Sequence, residues 1–192
     1  MIRLTRQDGG EWALSHVCRV LKLISLIGEG LDYDRDLVWT AAHLHDWGTF
    51  SKWAKPGVNH SLRGKQVARE YLKKSGRPRP WVDKLIECIE FHHGGGQDLC
   101  LEAVLLRDAD ALDGLGLMGL LTEFAQIPCD MAGDYSCPVG MAMRGAYERA
   151  RIRRVNNPAM LRLEKSKEIA RERCAEMDRL FARLEQESFG YL

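Results

Sequence analysis

The chain has 192 residues, 45% of them apolar and 29% charged, with a formal net charge of +1 at pH 7. That balance is ordinary for a globular protein. It excludes a disordered polyelectrolyte, and it gives no overall attraction to nucleic acid or to a membrane surface. No apolar run approaches the ~20 residues of a membrane span, and the N-terminus Met1-Ile2-Arg3-Leu4 lacks the apolar stretch of a secretory leader, so a cytoplasmic protein is expected. Helical periodicity recurs along the chain while strand alternation is scarce, which predicts an all-α fold. The six cysteines (18, 88, 100, 129, 137 and 174) form no C-x-x-C pair. A reduced compartment suits them, with Cys129 and Cys137 the one pair near enough in sequence to bridge or share a metal.

The first helix is expected over about Glu11 to Gly28, with Leu14, Val17, Leu21 and Ile24 on one face. His16, Val20, Leu23 and Ile27 form a second apolar row, so His16 projects from a largely buried surface. The second helix is capped by Asp34 and carries Leu37, Ala41 and Leu44, then ends in His45-Asp46-Trp47-Gly48. His45 and Asp46 are adjacent metal-binding residue types, and a buried imidazole or carboxylate without a partner is costly. Gly48 reads as the helix stop. Phase on the wheel separates His43 from His45 and assigns His43 a structural role.

Residues 47–59 read as a loop carrying Lys52 and Lys55, which beside a metal site would suit a phosphate. Asn59 is a good N-cap for a helix opening at His60, with Arg63 and Lys65 on its first turn, where a bound anion would also meet the positive helix end. The run Gly76-Arg77-Pro78-Arg79-Pro80 breaks that helix. The next helix buries Val82, Leu85, Ile86 and Ile89, and His92 and His93 extend it, at least one of them facing inward. A fifth helix, about Leu99 to Asp113, places Ala103, Leu106 and Asp110 on one face. An acid in the last turn opposes the helix dipole and calls for a cation.

Gly114 to Ala125 reads as a further helix, and Ile127 to Pro158 as an irregular stretch. Its arginines 144, 149, 151, 153 and 154 form a solvated basic face or a lid over an anionic substrate. A last helix, about Pro158 to Glu187, shows an apolar seam suited to packing on the bundle or to a homodimer interface. The expected organisation is a helical metal-binding core over 1–126, with an irregular insert and C-terminal helix over 127–192 packing on it.

His16, His45-Asp46, His60, His92 (or His93) and Asp110 follow one another on helices with an apolar side, within Ser15-His16-Val17, Leu44-His45-Asp46-Trp47-Gly48 and Asp108-Ala109-Asp110. The pattern resembles the HD-domain superfamily of metal-dependent phosphohydrolases over about Glu11 to Ala125. The resemblance implies an all-α HD-domain bundle, with His16, His45, Asp46 and Asp110 holding the principal metal. It implies His60 and His92 on a second ion, with Asp46 shared by both. Trp47 departs from the small aliphatic residue usual after the pair. Mixed imidazole and carboxylate donors suit Mn, Fe, Co, Ni or Zn, with Mg admissible, as one or two ions.

The expected activity is hydrolysis of a nucleotide or other phosphate ester by a metal-activated water, with Asp46, Lys52 and Arg63 catalytic and Lys52, Arg63 and Lys65 contacting substrate. The expected partner is a small phosphorylated or nucleotide substrate; no membrane and no nucleic acid are expected. The alternatives are a dinuclear-iron HD-domain oxygenase and a non-catalytic nucleotide- or metal-binding sensor.

Overall fold

A computed structural model describes residues 1–125 and 139–191. The described residues form eight α-helices and no strand. The helices are α1 (Ile2–Ile27), α2 (Arg35–Leu44), α3 (His60–Leu72), α4 (Arg79–Phe91), α5 (Leu101–Asp113), α6 (Gly116–Ala125), α7 (Val139–Met160) and α8 (Glu164–Glu187), with one 3₁₀ turn at Trp47–Thr49. The chain divides into two compact units, Met1–Asp110 and Ala111–Leu192. The boundary drawn from the sequence at 126/127, and the expectation for Cys129 and Cys137, lie outside the described residues. No described helix is long and apolar enough to cross a membrane.

In the first unit the caps follow the sequence. Asp34 Oδ1 accepts from Leu37 N at 2.9 Å, and Asn59 Oδ1 accepts from Ser61 N at 2.9 Å, so α2 and α3 start where expected. The apolar rows of α1, α2 and α4 meet in a core of Val20, Leu37, Leu44, Leu85 and Ile89, all fully buried. Helix α1 differs from expectation. It begins at Ile2 and bends at Gly10, whose φ of 74° and ψ of −177° are outside the helical region. The segment before the bend was missed because it lacks an apolar stripe. Polar bonds hold it instead: Trp47 Nε1 donates to Thr5 Oγ1 at 3.3 Å, and Thr5 Oγ1 donates to the His43 carbonyl at 3.4 Å.

Gly48 does not end α2, which stops at Leu44 with His45 as its cap. It is a glycine because α3 passes against it. A Cβ at Gly48 would lie 2.0 Å from the His60 carbonyl oxygen and 2.6 Å from Gly64 N. The absence of a side chain lets α3, and His60 at its first residue, approach the turn carrying His45 and Asp46.

In the second unit, α7 corrects the expected irregular stretch from Val139 onward. Its buried side, among the described side chains, is Ala146, Tyr147 and Ala150, with no stripe of large aliphatic residues. Its arginines are not a simple solvated face. Arg149 and Arg153 each place a guanidinium nitrogen 2.7 Å from the carboxylate of Glu123, which is fully buried on α6, and Arg154 pairs with Asp178 on α8 at 2.7 Å. The last helix begins at Glu164, and Pro158 sits inside α7. Proline leaves the carbonyl four residues back without its helical donor. Here that carbonyl belongs to Arg154, and the Cys174 thiol donates to it at 3.9 Å.

Candidate metal centre

The middle of one helix and the ends of four others in the first unit deliver the predicted ligands to one place. His16 comes from the middle of α1, His45 and Asp46 from the end of α2, His60 from the start of α3, His92 from the cap of α4, and Asp110 from the last turn of α5. His16 Nε2 lies 3.2 Å from His45 Nε2 and 3.3 Å from Asp110 Oδ1. Asp46 Oδ2 is 3.4 Å from His45 Nε2 and 3.7 Å from His16 Nε2, while Asp46 Oδ1 is 3.7 Å from His92 Nε2. Ligands sharing one metal at roughly 2.0–2.2 Å are separated by about 2.9–3.6 Å in an octahedral or tetrahedral shell. The separations of 3.2, 3.3 and 3.4 Å fall in that range, and the two at 3.7 Å lie just beyond it.

The backbone fixes which imidazole nitrogens face the cluster. His45 Nδ1 donates to the Ala42 carbonyl at 2.9 Å, and His92 Nδ1 donates to the Ile89 carbonyl at 2.6 Å. Both are three-residue steps at helix ends, where carbonyls lack intrahelical donors. Each bond turns Nε2 toward the cluster, as in metal-bound histidines whose other ring N–H is held by a carbonyl. His92 Nε2 is fully buried and has no hydrogen-bond partner. An orphaned buried acceptor beside a carboxylate fits a cation ligand.

Among the described residues three overlapping donor groups result: His16, His45 and Asp46; His45, His92 and Asp110; and Asp46, His60, His92 and His93. Asp46 belongs to the first and third, so it can serve two ions. The ambiguity between His92 and His93 resolves into two positions. His92 is fully buried, whereas His93 is half exposed with Nδ1 3.9 Å from Asp110 Oδ2, at the rim of the cluster. Both histidines bring a ring nitrogen within 4.8 Å of a ligand atom of Asp46 and of His60.

The electrostatics are those of a cation site. Burial by itself works against ionised Asp46, but the imidazoles of His45 and His92 outweigh it and hold the carboxyl well below the usual carboxylate range. Asp110 is lowered likewise, with His16 and His45 overcoming its burial. Burial also opposes charge on His45, yet Asp46 and Asp110 together raise its pKa, so the two carboxylates draw positive charge to that nitrogen. Burial and then His92 lower His60, while burial, aided by His92 and His60, takes His93 down to about 4. Both are neutral donors near pH 7.

The predicted cationic residues are engaged elsewhere. Lys52 Nζ pairs with Asp8 at 3.0 Å and lies over the Trp53 ring. Arg63 Nε donates to the Trp53 carbonyl at 2.5 Å and its Nη1 to Gln66 at 3.0 Å. Lys65 pairs with Glu90 at 2.6 Å. Apart from Gln66, three residues on from Arg63 in α3, these partners are distant in sequence or presented by irregular backbone, so periodicity could not reveal them. His43 is as expected: its buried ring packs on Trp39 with centroids 4.3 Å apart, and it joins none of the three donor groups. Trp47 is buried, parallel to Trp53 and edge-on to Tyr71, where it braces the turn behind Asp46.

Comparison with known proteins places this geometry. Bacillus subtilis YpgQ superposes with a TM-score of 0.67 at 21% identity, over 99% of this chain and 96% of that one. YpgQ in complex with ADP gives the same score over 97% and 92% at 22% identity. A predicted HD superfamily hydrolase from an uncultured Thermotogales bacterium gives 0.63 at 22% identity, over 97% and 88%. At this identity the likeness concerns the fold. Among curated proteins, Ribonuclease Y of Pseudothermotoga lettingae is 33% identical over 107 residues, 56% of this chain and 19% of the relative. Ribonuclease Y of Acidothermus cellulolyticus is 30% identical over 109 residues, 57% and 20%. The chain thus matches about a fifth of the length of these relatives. The family model described as HD domain matches residues 13–115, a span containing every donor from His16 to Asp110, and this chain belongs to that family.

Proposed function

We propose that this chain is a metal-dependent phosphohydrolase acting on a nucleotide or other phosphate ester. The observation that carries the reading is Asp46, whose two oxygens face different imidazole sets, His16 with His45 on one side and His92 on the other. His16, His45, Asp46, His92 and Asp110 would hold divalent ions there, which would supply polarisation of a phosphoryl oxygen and a bound water of near-neutral pKa. Mn, Fe, Co, Ni and Zn are the ions this donor set suits.

The chain's own groups supply the rest. The Nδ1 bonds of His45 and His92 hold their rings in place, and Asp46 and Asp110 supply negative charge in a mostly buried setting. Lys52 is the cation best able to turn to a phosphate, because its pair with Asp8 is exposed on the lysine side and such pairs are worth about 0–1 kcal/mol. Arg63 stands on the first turn of α3, where helix dipole and side-chain charge both favour an anion, and Lys65 follows on the second. RNA and ADP, the molecules in the names of the relatives and of one structural neighbour, both carry phosphate and keep that class in view.

The test is a screen of nucleotides, phosphate monoesters and short RNAs with each metal in turn, for wild type and Asp46→Ala, with metal content measured in parallel. The expected outcome is metal-dependent release of product by wild type, and loss of both turnover and most bound metal in the variant. A wild-type protein that carries metal but turns over nothing in the panel would leave the binding-sensor alternative in its place.

A further inference from the structure

We infer that Arg107 is a positioning residue for the metal centre: its guanidinium clamps the backbone on both flanks of His92-His93 and holds those imidazoles toward Asp46 and His60. The inference rests on the proposed metal centre and not on hydrolysis. Arg107 lies in the middle of α5, three residues before Asp110, and is only 2% exposed. Its Nε donates to the Phe91 carbonyl at 3.1 Å, and its Nη2 donates to the Gly95 carbonyl. Phe91 is the residue before His92, and Gly95 is the second residue after His93. One planar group therefore grips the chain on either side of the pair.

The segment needs such a clamp. Helix α4 ends at Phe91, and the carbonyls of a last helical turn lack intrahelical donors. The Phe91 carbonyl accepts from Gly94 N at 3.1 Å as well as from Arg107, so the turn and the clamp meet at one oxygen. Gly94, Gly95 and Gly96 then follow with φ of 124°, 77° and 65°. Consecutive glycines have little conformational preference of their own, so this turn does not set the path of the chain. The bond from His92 Nδ1 to the Ile89 carbonyl orients the ring relative to its own helix end, but it does not hold that end in place. Ties from outside α4 do. Arg107 supplies them beside the histidines, and farther along the connection Cys100 N donates to the Glu87 carboxylate at 2.7 Å.

Geometry and charge make opposite predictions for this residue. A buried positive charge near a cation site repels the cation, so removing it on Coulomb grounds alone would tighten metal binding. Removing a clamp that positions two donors loosens metal binding instead; loss of a group that orients metal ligands typically costs about 10–100-fold in affinity. Lysine separates the two effects further. It keeps the charge, but its ammonium is a single point on a flexible stem and lacks the rigid fork that spans two carbonyls.

The experiment is equilibrium dialysis against Mn of wild type, Arg107→Lys and Arg107→Ala, each well below its own Tm so that lost stability does not register as lost affinity. Arg107→Lys should bind Mn about 10–100-fold more weakly than wild type. Arg107→Ala should also bind more weakly, against the Coulomb expectation, and added guanidinium ion should restore most of the loss. Methylammonium at the same concentration should not, because it brings the charge without the fork. A merely structural arginine would lower Tm and leave the Mn affinity of the folded protein unchanged. Wild-type affinity in Arg107→Lys, tighter binding in Arg107→Ala, or equal effects of the two added ions overturns the inference while the metal centre stands. A wild-type protein that takes up no Mn removes the metal centre itself and the inference with it. If Arg107→Ala does not fold, Arg107→Lys decides alone.

Discussion

Gly48→Ala tests how the fold builds the metal centre. The new Cβ would sit 2.0 Å from the His60 carbonyl oxygen, 2.6 Å from Gly64 N and 3.0 Å from the His60 carbonyl carbon. All three are backbone atoms, so no rotamer change relieves the overlap. Ordinary contact needs a little over 3 Å, and the first turn of α3 must therefore retreat by roughly 1 Å. Overpacking of this kind costs about 1–3 kcal/mol, and the rigidity of the opposing backbone places Gly48→Ala at the upper end. In a protein of this size that lowers Tm by on the order of 5–10 °C. His60 opens α3 and moves with it, whereas His16, His45, Asp46 and Asp110 lie on other elements. Displacement of a site group by about 1 Å can cost on the order of 10²-fold in rate. Thermal unfolding, metal content and turnover of the variant are the measurements. Gly64→Ala, whose Cβ would meet the His45 carbonyl oxygen at 2.9 Å, should be milder. A Gly48→Ala protein with wild-type Tm and full metal content would refute the account of why this residue is glycine.

The other predictions concern the histidines and the number of ions. His45→Ala should abolish turnover and deplete metal, while His43→Ala, which removes a buried ring packed on Trp39, should lower stability yet leave turnover within about tenfold, ~1.4 kcal/mol of indirect effect. Equal loss of turnover in both would mean that His43 reaches the site. Crystals soaked in Mn should show two anomalous peaks sharing Asp46, one by His16, His45 and Asp110 and one by His60 and His92. A single peak at saturating Mn, with nothing near His60, would remove the second ion and leave His60 and His92 as hydrogen-bonding groups around the first.

The residues that gather at the site were legible because their signal is local. His16 stands on an apolar row, His45-Asp46 closes an apolar helix, His60 follows an N-cap, and Asp110 sits where a helix dipole disfavours an acid. Each is a polar group in a buried position, and burial of such a group implies a partner. Periodicity and caps depend on residues a few positions apart, so the helices that carry these groups follow from sequence as well. Helix α7 escaped because alanines and arginine–carboxylate pairs, not large aliphatic residues, make its inner side.

What tertiary structure alone decided is every pairing between distant segments. The long-range partners of Lys52, Arg63 and Lys65 are Asp8, the Trp53 carbonyl and Glu90; helical phase gives a residue's direction but not which carboxylate or carbonyl lies there. The same holds for Gly48, legible as a helix stop and in fact a contact point for α3, and for Cys100, whose backbone N–H meets the Glu87 carboxylate of α4 at 2.7 Å. His92 and His93 are adjacent in sequence, and only the folded end of α4 assigns one to the buried interior and the other to the rim. Local patterns select the groups that must be satisfied, and long-range packing selects what satisfies them.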